Sequence, residues 1–490
     1  MSFSLFICAD ASPVIGTGHV MRCMALAQAA KAMGIPVSIC GRVSVPWVQE
    51  RLGRENVRFI PVFGDEIPEK ESLGSMLSRL AHADDGAWVV LDGYHFGPES
   101  HCVVREAGYR LVVIDDYAHL PEYHSDILVN QNIGAEDLVY KGDAGSKLLG
   151  PKYALLRPEF MEARHSINSR CFPEHARNIL LTLGGGDVIS HLRDIASYLA
   201  QPEMKECCLR VISGAMAESD VRYVLRDCPA DISVLGQIDN MSEQFYWADL
   251  CITAGGSTCW ELCCLGVPFV TVKVAENQHN IVDRLGRLGI KELASRELLV
   301  SLIGSGEQRR RLAETVKGLT NGAGTRKVLG AIAAKNFFLR PVEPDDCVRI
   351  YDLINDPDIN RLSAHPHTIS LDEHKGWFER RVLLNNAPFF LAFIGKIFLG
   401  YVRFEPLEED SESHKISIVV AKQWRGCGIG PALIAEASRN FFSSGGRKIV
   451  AFIRQENEFS IAAFCSAGFT RHEGAASGIY QVSLTRTGIS

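Results

Sequence analysis

Apolar residues in the first two thirds of the chain fall in short, nearly continuous runs separated by longer amphipathic stretches. Ser4–Ala9, Pro36–Cys40, Ala87–Leu91, Arg110–Ile114 and Ile127–Val129 read as strands buried on both faces, with a helix over Val20–Met33 between the first two. A second set follows Gly150: Asn178–Leu183, Cys208–Ile212, Ile232–Leu235, Leu250–Thr253 and Pro268–Val272. Between the sets, Leu149–Phe160 carries two prolines and a glycine and reads as a domain boundary. This alternation predicts an α/β fold, two Rossmann-like domains in series over residues 1–150 and 151–335. From about Phe337 the pattern changes. A strand at Phe338–Arg340, a helix at Asp345–Asn355, a hairpin of Phe389–Ile394 with Lys396–Phe404, a strand at Lys415–Val420 and a helix from Gly430 predict a separate α+β domain, residues 336–490.

Composition narrows the classes. The 490 residues carry 51 Lys+Arg against 58 Asp+Glu, a net charge of −7, which argues against nucleic acid as a partner. With 47% hydrophobic and 22% charged residues, the chain can bury several cores. No apolar run reaches the roughly 18 residues of a membrane span, so no membrane partner is expected. The apolar start, Phe3–Ala9, lacks a basic flank and runs into Asp10, as a first strand does and a secretion signal does not. The 15 cysteines contain no CxxC pair, and an odd count without a signal suggests reduced thiols in a cytoplasm. Cys259, Cys263 and Cys264 read as small apolar packing on a helix in preference to a metal site.

Chemistry is concentrated at strand ends. Ala9–Arg22 runs from a strand through a loop with Gly16 and Gly18 into a helix near His19. Two glycines let backbone N–H groups approach a ligand, and the positive helix end favours a neutral histidine, as a general base requires. A bare strand-to-helix turn with a capping histidine is the alternative. Asp115-Asp116, also at a strand end, are suited equally to holding hydroxyls or a metal and to capping the next helix.

The opening stretch resembles the metal-independent UDP-sugar hydrolases of pseudaminic acid biosynthesis. The likeness continues in order through Leu91-Asp92-Gly93-Tyr94, Val113-Ile114-Asp115-Asp116, Val129-Asn130-Gln131-Asn132 and Tyr153–Phe160, and so covers about two thirds of the chain. It implies a base at His19, a loop-ordering or hydroxyl-holding Asp10, sugar contact by Tyr94, a substrate contact at Arg22, and no metal. Ala254–Glu261 (Ala-Gly-Gly-Ser-Thr-Cys-Trp-Glu) follows a strand and opens a helix. Gly255, Gly256, Ser257 and Thr258 there offer N–H and hydroxyl donors to a pyrophosphate, and Glu261 an acceptor for ribose hydroxyls. This stretch is similar to the nucleotide-sugar domain of glycosyltransferases with two Rossmann-like halves, the GT-B-like arrangement. Leu183-Gly184-Gly185-Gly186-Asp187 is a second glycine turn, with Gly185 toward the phosphates or simply a turn. In Ala275-Glu276-Asn277-Gln278, the resemblance implies Asn277 for the water or the sugar and Gln278 for the phosphates.

In the last domain, Gln423–Gly430 follows a strand and opens a helix. Its Arg425-x-x-Gly428-x-Gly430 spacing, followed by Asn457, Ser460 and Phe464…Gly468-Phe469, resembles the GCN5-related N-acetyltransferases. The resemblance implies acetyl-CoA as cosubstrate, held by Arg425, Gly426, Gly428, Ile429 and Gly430 with Asn457 and Ser460, and an oxyanion met by backbone at Val419 and Val420. Phe464 stands where many members have a proton-donating tyrosine. No base is obvious, and Glu405 and His374 read as solvated surface groups. Ile369–Trp377 resembles the acceptor-side helix of acetyltransferases acting on UDP-4-amino sugars. Together the modules imply a bifunctional enzyme: acetylation of a UDP-linked 4-amino sugar, then hydrolysis of the UDP-diacetamido sugar, with other enzymes of that pathway as further partners. The rivals are a glycosyltransferase of the same architecture and a fusion whose last domain only binds.

Overall fold

The computed structural model describes residues 3–62, 69–80, 86–166, 170–186, 188–362, 368–384, 388–408, 410–472 and 479–485. They form two compact units, residues 2–328 and residues 329–490. The first unit holds two all-parallel sheets. In chain order the first sheet is built from β1 (Leu5–Ala9), β2 (Val37–Gly41), β3 (Arg58–Pro61), β4 (Trp88–Asp92), β5 (Arg110–Ile114), β6 (Tyr123–Asn130) and β7 (Gly142–Leu149). Its spatial order is β3-β2-β1-β4-β5-β6-β7. The second comprises β8 (Asn178–Thr182), β9 (Cys208–Ile212), β10 (Asp231–Leu235), β11 (Leu250–Ala254) and β12 (Phe269–Val272), ordered β10-β9-β8-β11-β12.

The reason is in the side chains. Every residue of β1, β4 and β11 is buried, which only a strand covered on both faces tolerates. Ile179, Leu181, Leu209 and Ile252 pack on one face of the second sheet; Leu180, Trp260 and Phe269 pack on the other. Cys259, Cys263 and Cys264 are fully buried in that second layer, as small apolar packing.

In each sheet the strand order reverses once near the middle, between β1 and β4 and between β8 and β11. At such a switch point the loops leaving the two strands diverge to opposite faces, and a crevice opens at their C-terminal ends. The motif-bearing loops leave β1, β4, β8 and β11, so topology alone places them at the two crevices.

The second unit is one mixed sheet: β13 (Phe338–Pro341), β14 (Phe389–Ile394), β15 (Ile397–Leu407), β16 (Asp410–Val420), β17 (Lys448–Arg454), β18 (Thr470–His472) and β19 (Ile479–Thr485), ordered β13-β14-β15-β16-β17-β19-β18. Only β16 and β17 run parallel, and they pair only over Ser413–Lys415. Beyond Lys415 β16 stays bonded to β15, and β17 to β19. The two central strands therefore splay, leaving a slot beside Val419 and Val420. The fold is α/β, with two Rossmann-like sheets followed by this mixed α+β domain.

Candidate functional site

The helix Gly18–Ala32 starts directly above the first switch point. His19, in its first turn, directs Nδ1 at Asp92 Oδ1, 2.7 Å away at the end of β4. Asp92 is fully buried; burial alone would raise its carboxyl, but Arg22 and His19 hold it well below the usual carboxylate range. An ionised carboxylate only accepts, so His19 Nδ1 carries its proton toward Asp92, and in the neutral ring the lone pair lies on Nε2. Asp92 thus fixes the tautomer.

Arg22 lies one turn on, on the same helix face. Its Nε and Nη2 grip Asp92 at 2.7 and 2.6 Å, and its Nη1 and Nη2 grip Asp116 at 2.7 and 3.0 Å. Four of the guanidinium's five N–H groups thus meet the two carboxylates, and Arg22 positions Asp92 and Asp116. Asp116 also accepts from Tyr94 Oη (2.8 Å) and Asn132 Nδ2 (3.0 Å). Asp115 points the other way, into Tyr123 Oη, the His119 ring and the Ala118 N–H, and fixes the turn after β5.

Two side chains reach across from the second sheet. Asn277 Nδ2 donates to Tyr94 Oη at 2.6 Å, and Trp260 Nε1 donates to Asn132 Oδ1 at 3.2 Å. The Tyr94 ring meets the His19 ring edge-on, 4.9 Å between centroids. His19, Tyr94 and Asn277, proposed from separate stretches, thus meet in one place. Asp10 does not join them. Its Oδ1 accepts the Arg42 N–H at 2.7 Å, tying the glycine loop to the end of β2, so of its two expected roles only loop ordering has a partner.

The loop after β11 opens the helix Thr258–Leu265. Among the described residues, no acceptor meets the N–H groups of Gly256, Ser257 and Thr258, nor a partner the two hydroxyls. Gly255 is a correction: its N–H is shared by Val272 O (3.2 Å) and Gln278 Oε1 (3.1 Å). The same Gln278 oxygen also takes the Val274 N–H at 3.2 Å, so its carbonyl braces two loops and its NH₂ is the group that offers a phosphate an N–H donor. Gly185 lies against the first glycine loop, where a Cβ would come 2.6 Å from Thr17 Oγ1. Asp187 is outside the described residues. Glu261, one turn into the helix, sits 3.5 Å from Arg157. Burial, reinforced by Glu159 and opposed by Arg157, pushes its carboxyl up to about 7. Gly16, with φ +77°, and Gly18 complete the loop beneath His19.

In the second unit Gly426 (φ +73°) and Gly428 (φ +84°) turn the chain left-handed before the helix Ile429–Ser443. Among the described residues, no acceptor meets the N–H groups of Gly428, Ile429 and Gly430, a nest at a helix start. Arg425 braces it from below, through Val420 O at 3.0 Å and Asp356 Oδ1 at 2.9 Å. Asn457 Oδ1 caps the helix Glu458–Ser466 by accepting the Ser460 N–H at 3.1 Å. Phe464 is buried edge-on against Phe469, centroids 5.0 Å apart. His374 is a correction: it is buried, not solvated. Ser370 and Glu373 form a capping box at the start of the helix Leu371–Leu384, which sets His374 inward with Nε2 at 3.0 Å from Cys347 O. Glu405 is half-buried, 3.5 Å from Arg403. Among the described residues no group of three or more His, Cys, Asp or Glu could hold a metal ion, and no helix is long and apolar enough to cross a membrane.

Two family models match the chain. Residues 192–314 match the glycosyltransferase family 28 C-terminal domain, and residues 336–470 match the acetyltransferase (GNAT) domain. The uncharacterized protein MJ1062 of Methanocaldococcus jannaschii is 24% identical over 507 residues, with 98% of this chain and 99% of that protein covered. The spore coat polysaccharide biosynthesis protein SpsG of Bacillus subtilis is 25% identical over 208 residues, 40% of this chain and 60% of its own length. Among solved structures, MurG of Acinetobacter baumannii covers 67% of this chain and 99% of its own at 17% identity and a TM-score of 0.47. Spermidine N-acetyltransferase of Vibrio cholerae, in complex with CoA and spermine, covers 31% and 98% at 19% identity and a TM-score of 0.29. The chain joins a glycosyltransferase-28-like domain to a GNAT acetyltransferase domain.

Sequence reasoning missed Asp92 as the partner of His19, and with it Asn132 and Trp260. The available signal was position: each of the first two lies at or just past a parallel-strand C-terminus, where ligands gather.

Proposed function

We propose that the chain is a bifunctional nucleotide-sugar enzyme, with domains at 1–150, 151–335 and 336–490. The last domain transfers acetyl from acetyl-CoA to the 4-amino group of a UDP-linked trideoxy amino sugar. The first two hydrolyse the resulting UDP-2,4-diacetamido-2,4,6-trideoxy-β-L-altrose. The observation that carries the hydrolytic half is the His19–Asp92 pair, with Nε2 free as a base beside Tyr94 and Asn277. Water gives its proton to His19 Nε2 and bonds to the anomeric carbon. The C–O bond to UDP breaks and its electron pair leaves on the β-phosphate oxygen. The N–H groups of Gly256, Ser257 and Thr258 are placed to meet that charge at a helix start. Gly16, Gly18 and Gly185 let backbone close around the diphosphate and sugar, and Glu261 takes the ribose hydroxyls.

In acetyl transfer, the neutral amine bonds to the thioester carbonyl carbon in the slot beside Val419 and Val420, whose backbone stabilises the oxyanion, and the nitrogen gives up one proton to water. The nest of Gly426, Gly428, Ile429 and Gly430, braced by Arg425, holds the pyrophosphate, and Asn457 and Ser460 line the far side. The C–S bond breaks to give CoA thiolate, which takes its proton from water, since Phe464 has none to give. SpsG's role in spore coat polysaccharide biosynthesis supports a sugar substrate, and the match of residues 336–470 to the acetyltransferase (GNAT) domain supports acetyl-CoA as cosubstrate.

The match to the glycosyltransferase family 28 C-terminal domain favours a second reading, in which a sugar hydroxyl replaces water. Mass spectrometry in ¹⁸O-labelled water separates the two. Hydrolysis releases UDP without an acceptor and puts the label on the free sugar; a transferase releases UDP only when an acceptor is added.

Two expectations follow from these sites. Because Glu261's carboxyl titrates near 7, UDP affinity should rise severalfold between pH 6 and pH 8 as the carboxylate forms. Titration calorimetry of the native protein against Glu261→Gln checks this: the variant should lose that part of the slope, and equal slopes would remove Glu261 from the ribose site. At Gly428, alanine must adopt φ near +84°, which costs about 1–2 kcal/mol and turns the nest's N–H groups. Acetyl-CoA affinity should fall roughly tenfold, read by equilibrium dialysis, with UDP binding unchanged.

A further inference from the structure

Tyr94 touches a second histidine that the mechanism does not use. His119, in the turn after β5, meets the Tyr94 ring edge-on with 5.4 Å between centroids, much as His19 does at 4.9 Å. Its Nδ1 lies 2.9 Å from Oδ1 of the fully buried Asp115. The site thus holds two histidine–carboxylate pairs, His19–Asp92 and His119–Asp115, with one tyrosine in contact with both histidines. Tyr117 packs on Tyr94 and on His119, at 5.5 and 5.0 Å, and completes the group.

The turn is bent to make this contact. Ala118 takes φ +57°, a left-handed conformation that strains a residue with a Cβ. Asp115 upholds it: Oδ2 accepts the Ala118 N–H at 2.7 Å, while Oδ1 meets His119 and the Tyr123 hydroxyl. Such strain persists only where the surroundings over-determine it, and here they set the place of the His119 ring against Tyr94. The Tyr94 hydroxyl depends on that ring staying put. It donates to Asp116 Oδ2 at 2.8 Å and accepts from Asn277 Nδ2 at 2.6 Å, one partner from each sheet.

We propose that His119 is a positioning residue for the hydrolytic reaction: held by Asp115, it fixes the Tyr94 ring so that its hydroxyl stays on Asp116 and Asn277 beside His19. The proposal rests on the reading of this site as hydrolytic.

The hold is sensitive to pH. Burial would lower the pKa of His119, but Asp115, the Tyr94 backbone and Asp116 outweigh it and keep the ring above the usual histidine range. A charged His119 donates from both nitrogens, to Asp115 and toward the Tyr94 backbone; a neutral one keeps a single N–H. Burial, with the neighbouring carboxylates, pushes the hydroxyls of Tyr94, Tyr117 and Tyr123 up. Burial, with the charges of His124 and His119, pushes His101 on the helix Pro98–Glu106 down to about 4. These four groups keep their charge state between about pH 6 and pH 9, and His119 loses its proton on the alkaline side of the ordinary histidine value.

The test is the rate of UDP release by the full chain at saturating UDP-2,4-diacetamido sugar over that pH range. His119→Ala should lower kcat about 30-fold with KM within about twofold. His119→Gln, whose amide still reaches Asp115 but does not titrate, should recover kcat to within about threefold and lack the native protein's alkaline fall. A kcat within threefold of native in His119→Ala, or the same alkaline fall in His119→Gln, overturns the proposal. Carbon NMR of the full chain labelled with [4-¹³C]tyrosine reads the contact without turnover. The Tyr94 signal, identified by its loss in Tyr94→Phe, should take an alkaline step in the native protein that His119→Gln lacks; equal steps overturn the proposal. If the step is lost as expected while the native protein releases no UDP, the positioning stands and the hydrolytic reading falls.

Discussion

Asp92→Asn is expected to slow UDP release by about 10³–10⁴-fold while UDP affinity and acetyl transfer stay at native levels. The variant changes the tautomer. Asp92, buried and ionised, accepts the Nδ1 proton of His19, so that in the neutral ring the lone pair lies on Nε2. An asparagine amide that keeps its oxygen on Arg22 Nε turns its NH₂ toward His19 Nδ1 and Arg22 Nη2, which share the other position. The imidazole then accepts at Nδ1 and carries its proton on Nε2, where no base remains. Arg22 loses one acceptor and keeps Asp116, so the melting temperature should fall, but by less than Arg22→Met lowers it. Stopped assays of UDP release, with UDP binding measured alongside, check it. A loss smaller than tenfold would mean that His19 is not a base oriented by Asp92.

That pair also marks where the sequence stops being legible. Strands buried on both faces leave continuous apolar runs, so β1, β2, β4, β5, β8, β9, β11 and β12 can be read directly, within a residue or two. β7 cannot: Gly142–Leu149 lies at the sheet edge, where half its residues are exposed and no apolar run is needed. The loops at the switch points are legible because glycines there answer a local demand, such as the closeness of Gly185 to Thr17. Partnerships are not. Arg22 meets Asp92 and Asp116 across 70 and 94 residues of chain, and an arginine beside a glycine loop looks alike whether it faces a ligand or two buried carboxylates. His374 differs. Trp377 and Phe378 follow it at i+3 and i+4, and all three rings lie within 6.4 Å of a neighbour in one cluster, so helical periodicity alone carried the signal for burial.

Arg22→Met carries the largest expected effect on stability. The guanidinium is buried between Asp92 and Asp116, four nitrogen–oxygen contacts of 2.6–3.0 Å tying β4, β5 and the first helix together. Removing it leaves two carboxylates buried without their cation, a cost of about 3–5 kcal/mol. The melting transition of the first unit should drop by roughly 10 °C. The pH dependence identifies the cause. In the native protein burial raises both carboxyls, but Arg22 outweighs it and holds them below the ordinary range. Their stabilisation is therefore present above about pH 4 and is lost as pH falls through the depressed values. Without Arg22 the burial effect and the mutual repulsion of the two charges act unopposed and raise both carboxyls. The variant should then gain stability on going from pH 8 to pH 5, where the native protein gains none from this pair. Arg22→Lys restores the charge but not the fork, and should recover part of the stability with the native sign of the slope. Thermal melts of all three proteins at pH 5 and pH 8 decide it. A Met variant that melts identically at both would show that the two carboxylates do not depend on this cation.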